Sequence, residues 1–219
     1  MARKTYLVLV NDVLRKLRHN TVTSVGSSDY SQLIGLMVNQ AKREVEDAWT
    51  WLELRRYINV TTVSGTQRYA LTGFGERYRL DCIRNDAYSG AIIKSVESAW
   101  FENQYPTDQA GRPQYWRATT TDGNGDPQID LYPVPNAAET LRVHGWINQD
   151  DLSLDADILK VPSWPVVLGA YVHAIEERGE DAGTSLSKAQ AEYQGALDDA
   201  IARDNLNSAK GTASDWRIA

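Results

Sequence analysis

Apolar residues recur at two different periods along this chain, and the change of period divides it into three stretches. Tyr6, Val10, Val13, Leu14 and Leu17 fall at spacings of three and four, which predicts a helix over residues 4–18. Asn20–Ser28, rich in Thr, Ser and Gly, predicts a loop. Ser28 or Asp29 can cap a longer helix whose stripe runs Leu33, Ile34, Met37, Ala41, Val45, Ala48, Trp49 and Leu52. On its other face, Lys42 and Arg43 stand beside Glu44, Glu46 and Asp47, the pattern of a solvated, ion-paired surface.

After Glu53 the period drops to two and β-branched residues take over. Short strands are predicted around Tyr57–Val63, Gln67–Leu71, Tyr78–Tyr88, Ala91–Lys94, Tyr115–Thr119, Gln128–Tyr132 and Thr140–Trp146, with a helical turn at Ser95–Asn103. Pro162 and Pro165 bracket the return to helix. Val167, Leu168, Tyr171, Val172 and Ile175 form one apolar stripe; Leu186, Ala189, Tyr193, Ala196, Leu197, Ala200 and Ile201 form the last. Ser208–Ala219 carries no period.

The expected fold is therefore α+β. The N- and C-terminal helix pairs (residues 1–52 and 161–207) form a four-helix bundle, because one pair alone cannot bury both apolar faces. Residues 53–160 form a β-rich insertion, and 208–219 an extended C-terminal tail.

Composition changes this picture little. The 42% hydrophobic and 24% charged residues are those of a globular domain, and no window approaches the roughly 20 apolar residues of a membrane span. No apolar run with a cleavage site follows the basic start, so the chain is expected to act where it is made. Charge distribution says more than the net −6. Residues 1–20 carry Arg3, Lys4, Arg15, Lys16 and Arg18 against Asp12; residues 150–200 carry eleven acids and three bases. The two either cancel between packed helices or meet across neighbouring copies; for the second case the candidates are Arg15, Lys16 and Arg18 against Glu176, Glu177, Glu180 and Asp181.

Catalytic and metal templates each fail at a named residue. His19, His144 and His173 have no HExxH spacing. Asp122-Gly-Asn-Gly-Asp126 opens like a calcium loop, but Pro127 and Pro133 stand where its Gly and Glu belong, so a hairpin turn is expected. Ser185-Leu-Ser-Lys188 lacks the companions of a serine–lysine hydrolase. The single Cys82, alternating with Leu80, is expected as an inert core thiol. No catalytic residue, metal or cofactor is assigned, and the chain is not expected to be an enzyme. A hydrolase assembled only in space would need two carboxylates in a Trp-lined cleft. Seven Trp and eleven Tyr against two Phe suit surfaces that become buried on association. Trp216, in the unpatterned ending Trp216-Arg217-Ile218-Ala219, is a candidate docking residue.

Tyr69-Ala-Leu followed by Arg77–Ile83, Gly111-Arg-Pro-Gln-Tyr115, Leu131-Tyr-Pro-Val-Pro135 and Thr140-Leu-Arg-Val resembles tailed-bacteriophage head-to-tail adaptor (connector) proteins. So does the ending, with Val161-Pro162, Ala174-Ile-Glu-Glu-Arg-Gly-Glu-Asp181 and Ala191-Glu-Tyr193. The resemblance covers most of residues 29–205. It implies a structural virion protein forming a ring, commonly of twelve copies, between the portal protein and a tail or nozzle protein, with a channel for double-stranded DNA that is not specifically bound. It also implies a place at the head–tail junction, after assembly in the host cytoplasm. Carried over, Trp216, Arg217 and Ile218 would dock on the portal. The alternative, from the aromatic-rich middle, is a tail-associated module binding glycan or peptide.

Overall fold

The computed structural model describes residues 3–104, 109–179 and 184–212. The chain is mixed α+β and divides into two compact units, residues 1–54 with 149–219, and residues 55–148.

In the first unit, α1 (Tyr6–Lys16) and α2 (Asp29–Ala48) meet the C-terminal helices α4 (Ser163–Glu177) and α5 (Thr184–Thr212). Ser28 caps α2 by accepting the Ser31 N–H, and Ser31 returns the bond to the Ser28 N–H. Helix α4 is apolar nearly all round, with Val166, Val167, Leu168, Ala170, Val172, Ala174 and Ile175 buried, and it packs against α1, α2 and α5. Gly169 permits this. A Cβ there would lie 3.1 Å from Ala41 on α2 and 3.2 Å from the Tyr193 ring on α5.

Residues 149–160, expected within the β-rich insertion, run along these helices as a strap. The Asn39 side chain bonds both the N–H and the carbonyl of Leu152, at 2.9 and 3.0 Å. The Tyr6 N–H donates to the Asp157 carbonyl, and the Leu159 N–H to the Lys4 carbonyl. Beneath the strap lies the largest departure from expectation. Lys42 and Glu46, taken as surface residues, have fully buried side chains. Their nitrogen and oxygen stand 3.3 Å apart, Lys42 donates to the Gln149 carbonyl, and Glu46 accepts the Gln149 N–H. Helix α5 continues to Thr212, so residues 208–212, expected in the extended tail, are helical.

The second unit is built on a seven-stranded sheet of order β1-β9-β3-β4-β6-β7-β2. The strands are β1 (Arg55–Thr61), β2 (Arg68–Ala70), β3 (Tyr78–Asn85), β4 (Ala91–Ser95), β6 (Tyr115–Thr121), β7 (Pro127–Tyr132) and β9 (Thr140–Ile147). Short β5 (Ala110–Gly111) and β8 (Val134–Pro135) pair separately, and α3 (Ser98–Gln104) lies between β4 and β5. Within the seven-stranded sheet all neighbours are antiparallel except β4 and β6, and the separate β5–β8 pair is parallel. The two edge strands, β1 and β2, are joined by residues 62–67 alone. Seven flat strands would span about 29 Å at ~4.8 Å per step, beyond the reach of that link at ~3.3–3.6 Å per residue, so the sheet is curled. Its inner face buries Tyr69, Leu71, Phe74, Ile83, Ile93, Trp116, Ile129, Leu131, Leu141 and Val143. Gly145 leaves room for Phe74, whose ring lies 2.7 Å from where a Cβ would stand.

Asp122 forms the expected turn between β6 and β7, accepting the N–H groups of Asn124 and Asp126. Cys82 corrects the expectation of a core thiol. The register shifts between Leu80 and Cys82, so Leu80 stays inward opposite Gly145 while half-buried Cys82 turns outward opposite His144.

Candidate functional site: a basic, aromatic groove and two charged faces

Helix α1 ends with Arg15 and Lys16, where the dipole of the helix favours cations. Leu17 closes it, and Arg18 turns the chain with φ +59°. Together with Tyr171, Ile175 and Arg178 of α4 and Ser185 of α5, the segment Lys16–Arg18 lines a groove of about 570 Å³. The Lys16 ammonium is held 5.1 Å from the ring centroids of both Trp164 and Tyr171. The Arg178 guanidinium lies over Tyr30, 5.1 Å from its centroid, and bonds the Tyr30 hydroxyl and His19 Nε2. Trp164 remains 52% exposed.

The structure thus brings together two of the three basic candidates, Lys16 and Arg18. Arg15 is instead engaged by Asp12 at 2.9 Å. Among the described residues no acid pairs with Lys16 or Arg18. Of the acidic candidates, Glu176 and Glu177 are exposed in the last turn of α4, the end where the dipole disfavours anions. Glu176 accepts a bond from Gln190 at 3.1 Å and lies 3.8 Å from His173. His173 Nε2 also lies 3.0 Å from Glu44, off the hydrogen-bond direction but placed for an ion pair when the ring is protonated. Glu180, Asp181, Trp216, Arg217 and Ile218 lie outside the described residues.

A second charged face, missed on sequence, is the outer side of β1, β9 and β3. The register sets Arg55 beside Trp146 and Arg79, Tyr57 beside His144 and Cys82, and Asn59 beside Arg142 and Arg84. Arg55 lies over the Trp146 ring and Arg142 over the Tyr57 ring, at 5.7 and 5.1 Å. Asp81 holds Arg55 at 2.6 Å and Asp86 holds Arg142 at 2.8 Å. Burial, together with Arg55, Arg84 and Arg142, lowers the pKa of His144 below its ordinary value. Strand alternation was the available signal, since Arg55, Tyr57 and Asn59 are every second residue.

Among the described residues no group of three His, Cys, Asp or Glu is arranged to hold a metal ion, and no helix is long and apolar enough to cross a membrane. What the site offers is paired cations, aromatic rings and exposed acids, the composition of surfaces that bind other macromolecules.

No curated protein matches the chain. The family model described as the SU10 adaptor protein does match it, over residues 4–216. On that near full-length match, the chain belongs to the SU10 adaptor protein family, structural phage head–tail adaptors rather than enzymes.

Proposed function

We propose that this chain is a virion protein of the head–tail junction, whose copies form a ring, commonly of twelve, joining the portal to the tail or nozzle. The ring leaves a channel through which double-stranded DNA passes without specific binding. The observation that carries this reading is the family match from residue 4 to residue 216. The four helices α1, α2, α4 and α5 act as the bundle that builds the ring wall, and residues 55–148 face tail components or neighbouring copies. Among the described residues Lys16 and Arg18 have no acidic partner, and in this reading they meet Glu176, Glu177, Glu180 and Asp181 of the next copy. Such heterologous contacts close into a ring when the rotation between copies permits. The C-terminal Trp216, Arg217 and Ile218 serve as the portal-docking segment.

Native mass spectrometry of the full chain mixed with its portal tests the proposal. The expected product is a portal complex carrying an integral set of chains, lost on removal of residues 213–219. A chain that stays apart from the portal at every concentration refutes it.

A further inference from the structure

Residues 55–148 hold ten bases and ten acids, so the chain's net −6 resides entirely in the other unit. Within this neutral unit the signs are segregated. Strand alternation gathers Arg55, Arg79, Arg84, Arg142 and Lys94 on the outer side of β1, β9, β3 and β4. Arg112 borders that face across a notch of about 230 Å³ lined also by Ile92, Lys94 and Gln114. Among the described residues, the acids of the face are Asp81 and Asp86, held by Arg55 at 2.6 Å and by Arg142 at 2.8 Å. Arg79, Arg84, Lys94 and Arg112 have no acidic partner among the described residues. Six cations thus stand against two carboxylates, a net of four.

Three of these arginines lie over rings: Arg55 over Trp146, Arg142 over Tyr57 and Arg112 over Tyr88, at 5.7, 5.1 and 3.4 Å from the centroids. Stacking restricts the guanidinium rotamers, so less entropy is lost when they meet an anion. His144 on the central strand β9 senses the resulting field. Burial first, then Arg55, Arg84 and Arg142, lower its pKa, with Asp81 alone opposing them. At that point the arginines outweigh the acids.

We infer that this face meets the phosphate backbone of duplex DNA, without regard to sequence, while the unit's other faces are left to tail components and neighbouring copies. The inference rests on the ring reading above for the source of the duplex. A duplex carries one charge per about 1.7 Å of its axis, counting both strands. Arg79 and Arg84 are five residues apart, or about 16 Å along β3. An equal length of duplex carries roughly nine phosphates, of which about four face the protein. That number matches the cations left without acidic partners. Because every charge on the duplex has one sign, Asp81 and Asp86 subtract from the attraction without demanding a partner of their own. Single strands fit less well, since guanidinium groups already cover the rings on which free bases stack.

Fluorescence anisotropy of a labelled short duplex with the full-length chain, at salt from about 50 to 200 mM, is the test. Arg79→Gln with Arg84→Gln removes two of the four cations. Lys188→Gln with Arg203→Gln on α5, also exposed, removes the same charge elsewhere. Circular dichroism with the wild-type Tm establishes that both variants fold. Four phosphate contacts predict that wild-type affinity falls about 100-fold across this salt range, and that of the sheet variant about 10-fold. The α5 variant is expected to follow wild type. A second measurement needs no variant: NMR of the wild-type chain should show the His144 pKa rising as duplex is added. Absence of duplex affinity at about 50 mM salt, equal losses in the two variants, preference among duplex sequences, or a His144 unmoved by saturating duplex each overturns the inference. A sheet variant that keeps the wild-type salt dependence but loses a complex with a tail-side protein overturns it and assigns the face to an acidic protein surface. Portal binding judges the ring reading separately. A portal complex formed by a chain without duplex affinity removes this inference alone, whereas duplex affinity without a portal complex removes the ring and leaves the contact standing.

Discussion

Replacing Lys42 with methionine is the most informative single perturbation of the helical unit. The Lys42 nitrogen lies 3.3 Å from Glu46 Oε1, donates to the Gln149 carbonyl, and stands 3.9 Å from Asp151. Both Lys42 and Glu46 have zero side-chain exposure. Lys42→Met fills the same space but strands the Glu46 carboxylate, and breaking a buried pair from one side costs about 3–5 kcal/mol. Domains as a rule have only ~5–15 kcal/mol in total. Glu46→Leu strands the ammonium in turn, with the Gln149 carbonyl and Asp151 as partial relief, for about 2–4 kcal/mol. The double variant removes both charges and leaves the backbone groups of Gln149 without these partners, so its loss is about 1–3 kcal/mol. The cycle therefore has a coupling of roughly 2 kcal/mol or more. Urea denaturation supplies the global values, and hydrogen exchange of the Leu152, Leu159 and Tyr6 amides reads the strap directly. Additive single variants, or Lys42→Met within about 1 kcal/mol of wild type, would refute the assignment of a buried pair that fastens the strap.

Three further outcomes follow from the packing and electrostatics. Gly169→Leu pushes α4 against Ala41 and Tyr193, and a thermal melt should show a loss of about 1–3 kcal/mol. Asp130→Ala removes the carboxylate shared by Arg68 and by Arg117, whose side chain is 14% exposed; urea denaturation should show a loss of about 2–4 kcal/mol, and Arg117→Gln should recover part of it. His144 should titrate below 6.5 by NMR, and Arg84→Gln should raise its pKa. Because the folded form holds its proton less tightly than the unfolded chain, stability is full above pH about 6.5 and is lost as pH falls towards the folded pKa; a His144→Gln protein lacks that part of the acid loss.

Periodicity carried the fold a long way. Strand alternation located all seven strands of the main sheet, and the Ser28 cap and the Pro162–Pro165 bracket located the starts of α2 and α4. It failed where a distant segment decides the environment. Lys42 and Glu46 are spaced like any surface ion pair; what buries them is backbone from Gln149, more than a hundred residues away. Cys82 was assigned to the core by counting in twos, and one extra residue at the bulge reverses the count. The basic end of α1 was legible as a run of charge. Its rings were not, because Tyr30, Trp164 and Tyr171 come from α2 and α4, elements that meet α1 only on folding.

The positive sheet face has the same origin. Composition gives residues 55–148 no net charge, so an argument from charge alone predicts a face of neither sign. Folding separates the signs by giving the acids inward work. Asp126 gathers the Gly73–Gly75 loop through two backbone N–H groups, Asp130 receives two guanidinium groups, and Glu139 meets Asn85 in a buried pair. Each carboxylate so used is screened from the outer face, while the arginines of β1, β9 and β3 remain on it through strand alternation. Burial of Asp126, Asp130 and Glu139 at under a tenth of their surface is thus the structural cause of a cationic patch in an anionic protein. A unit that hides these acids for folding thereby leaves arginines and aromatic rings exposed on one sheet face, the composition of surfaces that bind other macromolecules.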